Sequence, residues 1–400
     1  MSRKVRLAYL VSHPIQYQAP LLKELARQPD IDLTVLFCSD LSVREYRDEG
    51  FGRTVKWDVP LLDGYRHQFL PRLGGRRGLS FWNPLNFGIR RRLRAGQFDA
   101  LWVHGWGYWS HLYAMVCARQ CGIKVLLRGE SGVHLGEASG WKRGLRRALM
   151  RFLRANTDAF LTIGSCNREF YLRHGVEPSR LFPMPYTVDN PFFRQLSQQA
   201  STQREALRAQ LGLQPDRPVI LYASKMISRK RPADLLDAYA ALSTDGAREP
   251  EPYLLFIGDG ELREKLEARA SRLGWRSVKF LGFKNQTELP RYFDLCDVFV
   301  LPSEREPWGL IVNEVMNAGR AVIVADEVGC ARDLVRNGEN GFVFKTGDVA
   351  ALTAAIKRVI DTPRQAQAMG EASLGIIGHW GFGEDINGLR DALQYVTGQQ

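Results

Sequence analysis

The sequence predicts an α/β protein made of two doubly wound domains in tandem. Two observations carry this expectation. Short apolar runs alternate with helical stretches through both halves of the chain, and a segment rich in Pro, Gln and Ser, Pro183 to Gln214, separates the two series. Strands alternating with helices favour a parallel sheet covered on both faces. A length of 400 residues suits two to three domains at roughly 150 residues each.

In the first half, Val5–Val11, Leu33–Phe37, Ala100–Val103, Lys124–Leu127 and Ala159–Ile163 read as strands, each a short apolar run. Pro20–Arg27, Leu85–Arg94, His111–Cys121, Trp141–Ala155 and Asn167–Arg173 carry apolar residues at helical spacing. Pro183 to Gln214 reads as a linker containing one polar helix. The alternation then restarts with strands Val219–Ala223, Tyr253–Ile257, Val278–Leu281, Val298–Leu301, Ala321–Val324 and Gly341–Val343. Glu261–Leu273 and Leu310–Ala318 read as helices, the latter closed by Gly319.

Composition narrows the class. A hydrophobic fraction of 45% supports packed cores. The six cysteines, Cys38, Cys117, Cys121, Cys166, Cys296 and Cys330, show no metal-type spacing and suit a reducing compartment. Leu7 to Val11 is too short for a signal segment, and no run reaches the eighteen or so apolar residues that span a bilayer. The expected location is therefore cytoplasmic. The net charge of +12 is uneven: residues 1–185 hold 29 Lys and Arg against 15 Asp and Glu, and the remainder is nearly neutral. A basic half would suit nucleic acid or an anionic membrane. No helix-turn-helix or RNA-binding signature is visible, so nucleic acid is not expected as a partner.

Ligands of open α/β sheets bind beyond the carboxyl ends of the strands, and three segments of the second half fall there. Ser224 to Arg231 follows strand Val219–Ala223 and carries Lys225 and Lys230, two point charges able to grip a diphosphate. Gly258-Asp259-Gly260 follows strand Tyr253–Ile257, where glycines permit a tight turn and close approach. The third, Glu306-Pro-Trp-Gly-Leu-Ile-Val-Asn-Glu314, places two carboxylates across the start of a helix. A helix N-terminus attracts anions. Carboxylates there point instead to a neutral polyol beside a phosphate, the pairing found in a nucleotide-sugar.

These residues resemble the signature of retaining glycosyltransferases of family 4. The likeness rests on Glu306 and Glu314 within Pro302 to Gly319, on Gly258-Asp259-Gly260, Leu281-Gly282-Phe283 and Asn337-Gly338-Glu339-Asn340-Gly341, and on Pro185-Tyr186-Thr187-Val188-Asp189. It implies a GT-B fold: two Rossmann-like doubly wound domains facing across a cleft. Residues 1–185 would form the acceptor-side domain and residues 186–382 the nucleotide-sugar domain. A final helix within residues 383–400 would cross back to the N-terminal domain. By position, Lys225 and Lys230 match the basic pair on the donor diphosphate, the first usually an Arg. Glu306 matches the carboxylate on the transferred sugar, and Glu314 the one on the ribose. The amides of Trp308, Gly309 and Leu310 would meet sugar or phosphate, and Phe283 would lie near the base.

The resemblance further implies transfer with retention of a hexose-type sugar from a UDP- or GDP-sugar to a glycan or polyprenyl-linked acceptor. Cell-surface polysaccharide or lipopolysaccharide biosynthesis is the expected setting. No cofactor and no metal are expected, because lysines and a helix terminus can neutralise a departing diphosphate. The one DxD triplet, Asp30-Ile31-Asp32, reads as a solvated turn. A sugar-nucleotide epimerase of the same fold, a phosphorylase and a catalytically silent GT-B scaffold are the alternatives.

In the N-terminal half the likeness thins. Where relatives carry a glycine-rich loop and a histidine, this chain has Ser12-His13-Pro14-Ile15-Gln16-Tyr17 and Leu127-Arg128-Gly129-Glu130-Ser131. His13, Gln16, His104, Arg128 and Glu130 are the acceptor-side candidates. Trp141 to Arg154 forms a basic amphipathic helix with Trp141, Leu145, Leu149 and Phe152 on one side. It suits either core packing with a solvated basic face or peripheral docking on anionic lipid at the inner face of the cytoplasmic membrane.

Overall fold

The computed structural model describes residues 3–73, 78–132, 140–244 and 251–398. The chain forms two compact units: residues 1–46, 59–187 and 382–400, and residues 47–58 and 188–381.

The first unit is built on a seven-stranded sheet. Its order across the sheet is His67–Phe69, Ile31–Phe37, Val5–Val11, Ala100–His104, Lys124–Arg128, Ala159–Thr162, Leu181–Pro183, and every pairing is parallel. Residues Leu7, Ala8, Tyr9 and Leu10 are fully buried. A continuous apolar run of this kind marks a strand covered on both faces. One cover is the helix Phe382–Thr397. Its Ile386, Leu389, Ala392, Leu393 and Val396 join the core that contains Leu7, Tyr9, Leu22, Leu33 and Leu161.

The second unit carries a six-stranded parallel sheet, ordered Val278–Phe280, Tyr253–Ile257, Val219–Ala223, Val298–Leu301, Ala321–Ala325, Gly341–Phe344. From Val219–Ala223 the chain winds outward in one direction. It then returns to start again from Val298–Leu301 on the other side. The crevice at such a reversal is where α/β sheets bind ligands. In the first unit the reversal lies between Val5–Val11 and Ala100–His104.

The predicted strands are present within one or two residues. The helix expected from Leu85 begins at Ile89, because the Asn86 amide bonds to the carbonyls of Cys38 and Pro71 (both 3.1 Å) and holds the preceding residues irregular. Pro183 to Gln214 is not a linker with one helix. It begins at the last residue of the strand Leu181–Pro183 and contains two helices, Asn190–Ser201 and Arg204–Gln210. Its polar composition hides a buried stripe of Phe193, Ser197 and Leu207, and Arg204 makes a two-pronged bond to Asp294 at 2.8 and 2.5 Å. The short strands Tyr46–Asp48, Arg53–Val55 and His67–Phe69 carry no apolar run and escape sequence reading. Residues 47–58, which sequence reading places in the first domain, pack with the second unit.

Asp30 lies in a turn with its side chain 43% exposed. It accepts two hydrogen bonds from Arg390 (2.8 and 2.9 Å), and Asp32 pairs with Arg66 from within a strand.

Candidate functional site

At the reversal in the second unit, the loops leaving Val219–Ala223 and Val298–Leu301 meet. The first loop tightens into a single turn, Ser228–Lys230, which turns Lys230 inward. Its ammonium donates to Glu306 Oε2, with both side chains close to nine-tenths buried. Arg229 adds a second cation 3.8 Å from the same oxygen. The loops are also stitched by backbone: Glu304 N–H donates to the Arg229 carbonyl at 2.8 Å. Burial lowers the Lys230 pKa, and the Glu306 carboxylate opposes that shift.

Behind Glu306 the chain is fixed against the loop after Ala321–Ala325. Glu306 N–H donates to the Glu327 carbonyl (3.1 Å), and the Glu306 and Trp308 carbonyls accept from Gly329 (2.9 Å) and Cys330 (3.0 Å). Gly309 caps the helix Leu310–Met316 at φ +92°, a conformation that strains any residue with a Cβ. Trp308 buries its indole, donating to Asn313 Oδ1 at 2.9 Å and packing 5.4 Å from Trp380. Leu310 is half-buried at the head of the helix.

Glu314 follows on the same helix. It has no hydrogen-bond or ion-pair partner among the described residues, and burial alone pushes its carboxyl up to about 8. Gly258 serves the packing of two loops. At φ +125° it lies against the backbone of the Lys225 loop, and a Cβ there would sit 2.0 Å from the Ser224 carbonyl oxygen. The Met226 N–H to Asp259 carbonyl bond (2.8 Å) holds the same contact.

Lys225 and Phe283 both meet residues 47–58. Lys225 Nζ lies 2.7 Å from Asp48 Oδ1 and 4.6 Å from the centre of the Phe51 ring. Phe51 meets Phe283 edge-on, with centroids 4.9 Å apart.

In the first unit a polar cluster gathers at the strand ends. Glu130 accepts hydrogen bonds from Tyr186 Oη and from Tyr17 Oη (3.3 Å), and His104 Nε2 lies 3.2 Å from Tyr186 Oη and 3.7 Å from Glu130. Burial works against Glu130 ionising. The nearby His104 and the hydrogen bonds from Tyr186 and Tyr17 outweigh it and hold the carboxyl down at about 2. Burial lowers the His104 pKa, and its Nδ1 is buried with no hydrogen-bond partner among the described residues. His13 bonds to Ser12 Oγ (2.9 Å), and burial brings it to about 4. Gln16 is half-buried in the same loop.

Arg128 does not belong with these candidates. It is 1% exposed, and one guanidinium nitrogen donates to the carbonyls of Met184 (2.9 Å) and Pro185 (2.5 Å) and to Asp385 (3.0 Å). Its face lies 4.7 Å over the Tyr186 ring. A buried charge needs compensation of this kind, although Nε and Nη1 are buried with no hydrogen-bond partner among the described residues.

Arg229 lies in the basic loop read from sequence, and Tyr186 in the quoted Pro185 to Asp189 stretch. Tyr17 closes the Ser12 to Tyr17 stretch, whereas Asp48, Phe51 and Asp385 carry no local signal. Among the described residues no group of three or more His, Cys, Asp or Glu side chains could hold a metal ion.

The amphipathic stretch forms the helix Trp141–Asn156. Met150 and Leu153 are buried, while Trp141 and Leu145 are 74% and 61% exposed. Among the described residues no helix is long and apolar enough to cross a membrane.

Known proteins support the same outline. The family model of glycosyl transferases group 1 matches residues 203–374, and that of the glycosyl transferase 4-like domain matches residues 14–187. EpsD of Bacillus subtilis, described as a glycosyltransferase, is 28% identical over 72% of this chain and 76% of its own length. The lipopolysaccharide core biosynthesis glycosyltransferase LpsE of Rhizobium meliloti is 32% identical over 38% of this chain and 42% of its own length. Among solved structures, Anabaena HepE in complex with UDP superposes with a TM-score of 0.73 at 16% identity, covering 98% of this chain and 99% of that one. With its two parallel-sheet units and both family models matched, the chain belongs to the family 4 glycosyltransferases of GT-B fold.

Proposed function

We propose that this glycosyltransferase moves a hexose-type sugar, with retention and without a metal, from a UDP- or GDP-sugar to a glycan or lipid-linked glycan in cell-surface polysaccharide or lipopolysaccharide assembly. The carrying observation is the meeting of Lys230 and Glu306 at the reversal of the second sheet. A cation and a carboxylate held dry at that crevice suit the two ends of a nucleotide-sugar: the diphosphate and the transferred hydroxylated ring. The biosynthetic setting draws on the likeness to LpsE of lipopolysaccharide core biosynthesis, and the nucleotide donor on the UDP complex of HepE.

On this reading an arriving diphosphate draws Lys230 from Glu306, and Lys225 and Arg229 add charge. Preorganised cations lower the barrier by stabilising the charge that grows on the departing phosphate. Glu306, released from its ion pair, accepts hydrogen bonds from the sugar hydroxyls and favours the oxocarbenium-like state electrostatically. The acceptor attacks from the face the phosphate leaves, and a phosphate oxygen takes its proton. Glu314, uncharged near neutral pH, is suited to a ribose hydroxyl. The Glu130, His104, Tyr186 and Tyr17 cluster, with His13 and Gln16, offers hydrogen-bonding groups for the acceptor. The exposed end of Trp141–Asn156 would rest on anionic lipid from the cytoplasmic side, beside a polyprenyl-linked acceptor.

The test is transfer from a panel of UDP- and GDP-sugars to lipid-linked acceptors, with the anomeric configuration of the product read by NMR. Product of inverted configuration, or no transfer from any donor, would overturn the reading.

A further inference from the structure

Residues 47–58 depart from the first series of strands and pack with the second unit. Their attachment is specific. Arg53 bonds to Asp259 at 3.2 Å and lies 5.2 Å over the Phe283 ring. Asn285 donates to the Lys56 carbonyl at 2.7 Å, and Thr287 bonds to Asp58. These partners follow strands Tyr253–Ile257 and Val278–Phe280, so the segment lies over the carboxyl ends of that side of the sheet.

Within the segment, residues 48–51 wrap Lys225. Asp48 Oδ1 accepts both from Lys225 Nζ (2.7 Å) and from the Phe51 N–H (3.0 Å), so one carboxylate oxygen fixes the lysine and the turn together. Gly50 presses on the lysine stem, and a Cβ there would come 2.7 Å from Lys225 Cδ. The Phe51 ring lies 4.6 Å from the ammonium and 4.9 Å from the Phe283 ring. A cation beside an aromatic pair offers partners for the two parts of a nucleotide, its phosphate and its flat base.

We propose that Asp48 and Phe51 are donor-site residues contributed by the 47–58 segment: Phe51 forms with Phe283 the apolar wall against which the nucleobase packs, and Asp48 is the stand-in anion that the diphosphate displaces from Lys225. This rests on the nucleotide-sugar reading above. Asp48 sets how readily Lys225 is released, and Phe51 favours a ligand with a base over one without.

The two roles separate by ligand. Calorimetric titration with UDP, GDP and inorganic pyrophosphate is compared for the wild type, Phe51→Ala and Asp48→Asn. Base stacking on an aromatic ring is typically worth about 1–3 kcal/mol, so Phe51→Ala should weaken the preferred nucleotide about tenfold and leave pyrophosphate unchanged. Partly exposed ion pairs are weak, so Asp48→Asn should tighten nucleotide and pyrophosphate alike, about two- to fivefold. In turnover, Phe51→Ala should raise the donor KM with kcat nearly unchanged, and Phe51→Tyr should restore it. If the wild type binds UDP or GDP and loses it with Lys230→Ala, the donor reading stands. Unchanged nucleotide binding in Phe51→Ala, or unchanged or weaker binding in Asp48→Asn, would then overturn this proposal alone. A wild type that binds neither nucleotide overturns both.

Discussion

Lys230 Nζ donates to Glu306 Oε2 with 11% and 12% of the two side chains exposed. Two residues 76 positions apart thus neutralise one another where each is proposed to meet a different part of the donor. Each therefore guards the other against the cost of an unpaired buried charge.

Glu306→Gln and Lys230→Ala should each lower turnover about 100-fold or more, the scale of losing one preorganised charged contact in a transition state. Because the residues act as a pair, the double variant should fall well short of the product of the two losses. Steady-state rates, with circular dichroism to verify folding, check this. Wild-type turnover in Lys230→Ala would remove it from the diphosphate.

Glu314 makes stability depend on pH. Its carboxyl titrates near 8 in the folded chain against about 4.3 when unperturbed. Between those values the unfolded chain releases a proton that the folded chain keeps. Its contribution is therefore fully present at acid pH and lost as pH rises through about 8. Glu314→Gln, a mimic of the protonated form, should melt at a higher temperature than wild type at pH 8, with the gap closing toward pH 5. Parallel melting curves across that range would contradict the burial argument.

Glu130 behaves in the opposite sense. Held at about 2 by the nearby His104 and by its hydrogen bonds from Tyr186 and Tyr17, it contributes stability above its ordinary range that is lost as pH falls through about 2. Tyr186→Phe removes one donor and should raise the Glu130 pKa. Carboxyl chemical shifts followed through an acid titration measure it directly.

Breaking the Arg128–Asp385 pair should be costly, since both side chains are almost wholly buried. Asp385→Ala leaves the guanidinium unpaired and should lose about 3–5 kcal/mol, read by urea unfolding. Burial raises the Asp385 carboxyl to about 6 despite Arg128.

The helix Trp141–Asn156 should bind vesicles containing anionic lipid at low salt and release them as salt rises. Replacing Trp141 and Leu145 by Ala should weaken sedimentation with those vesicles without altering the fold, because both are exposed. No lipid-dependent sedimentation of the wild type would end the membrane reading.

Much of the second unit is written locally. Apolar runs such as Val219–Ala223 and Val298–Leu301 name their own strands, since a strand buried on both faces must be apolar throughout. The loops that follow them carry Lys225, Lys230 and Glu306 within a few residues of each strand end. The first unit gives less away. Arg128 reads as a strand-end candidate, yet its place is set by Met184, Pro185 and Asp385, up to 257 residues distant.

The sequence by itself determined the two α/β series and the strand-end loops that bear the proposed chemistry. These follow from hydrophobic period and turn residues, which act over a few positions. Only the tertiary structure decided that Lys230 faces Glu306, that Asp48 and Phe51 cover Lys225, and that Arg128 is spent on the helix Phe382–Thr397. Each depends on charges and rings brought together by the crossing of distant loops, and no local pattern records which loops will meet.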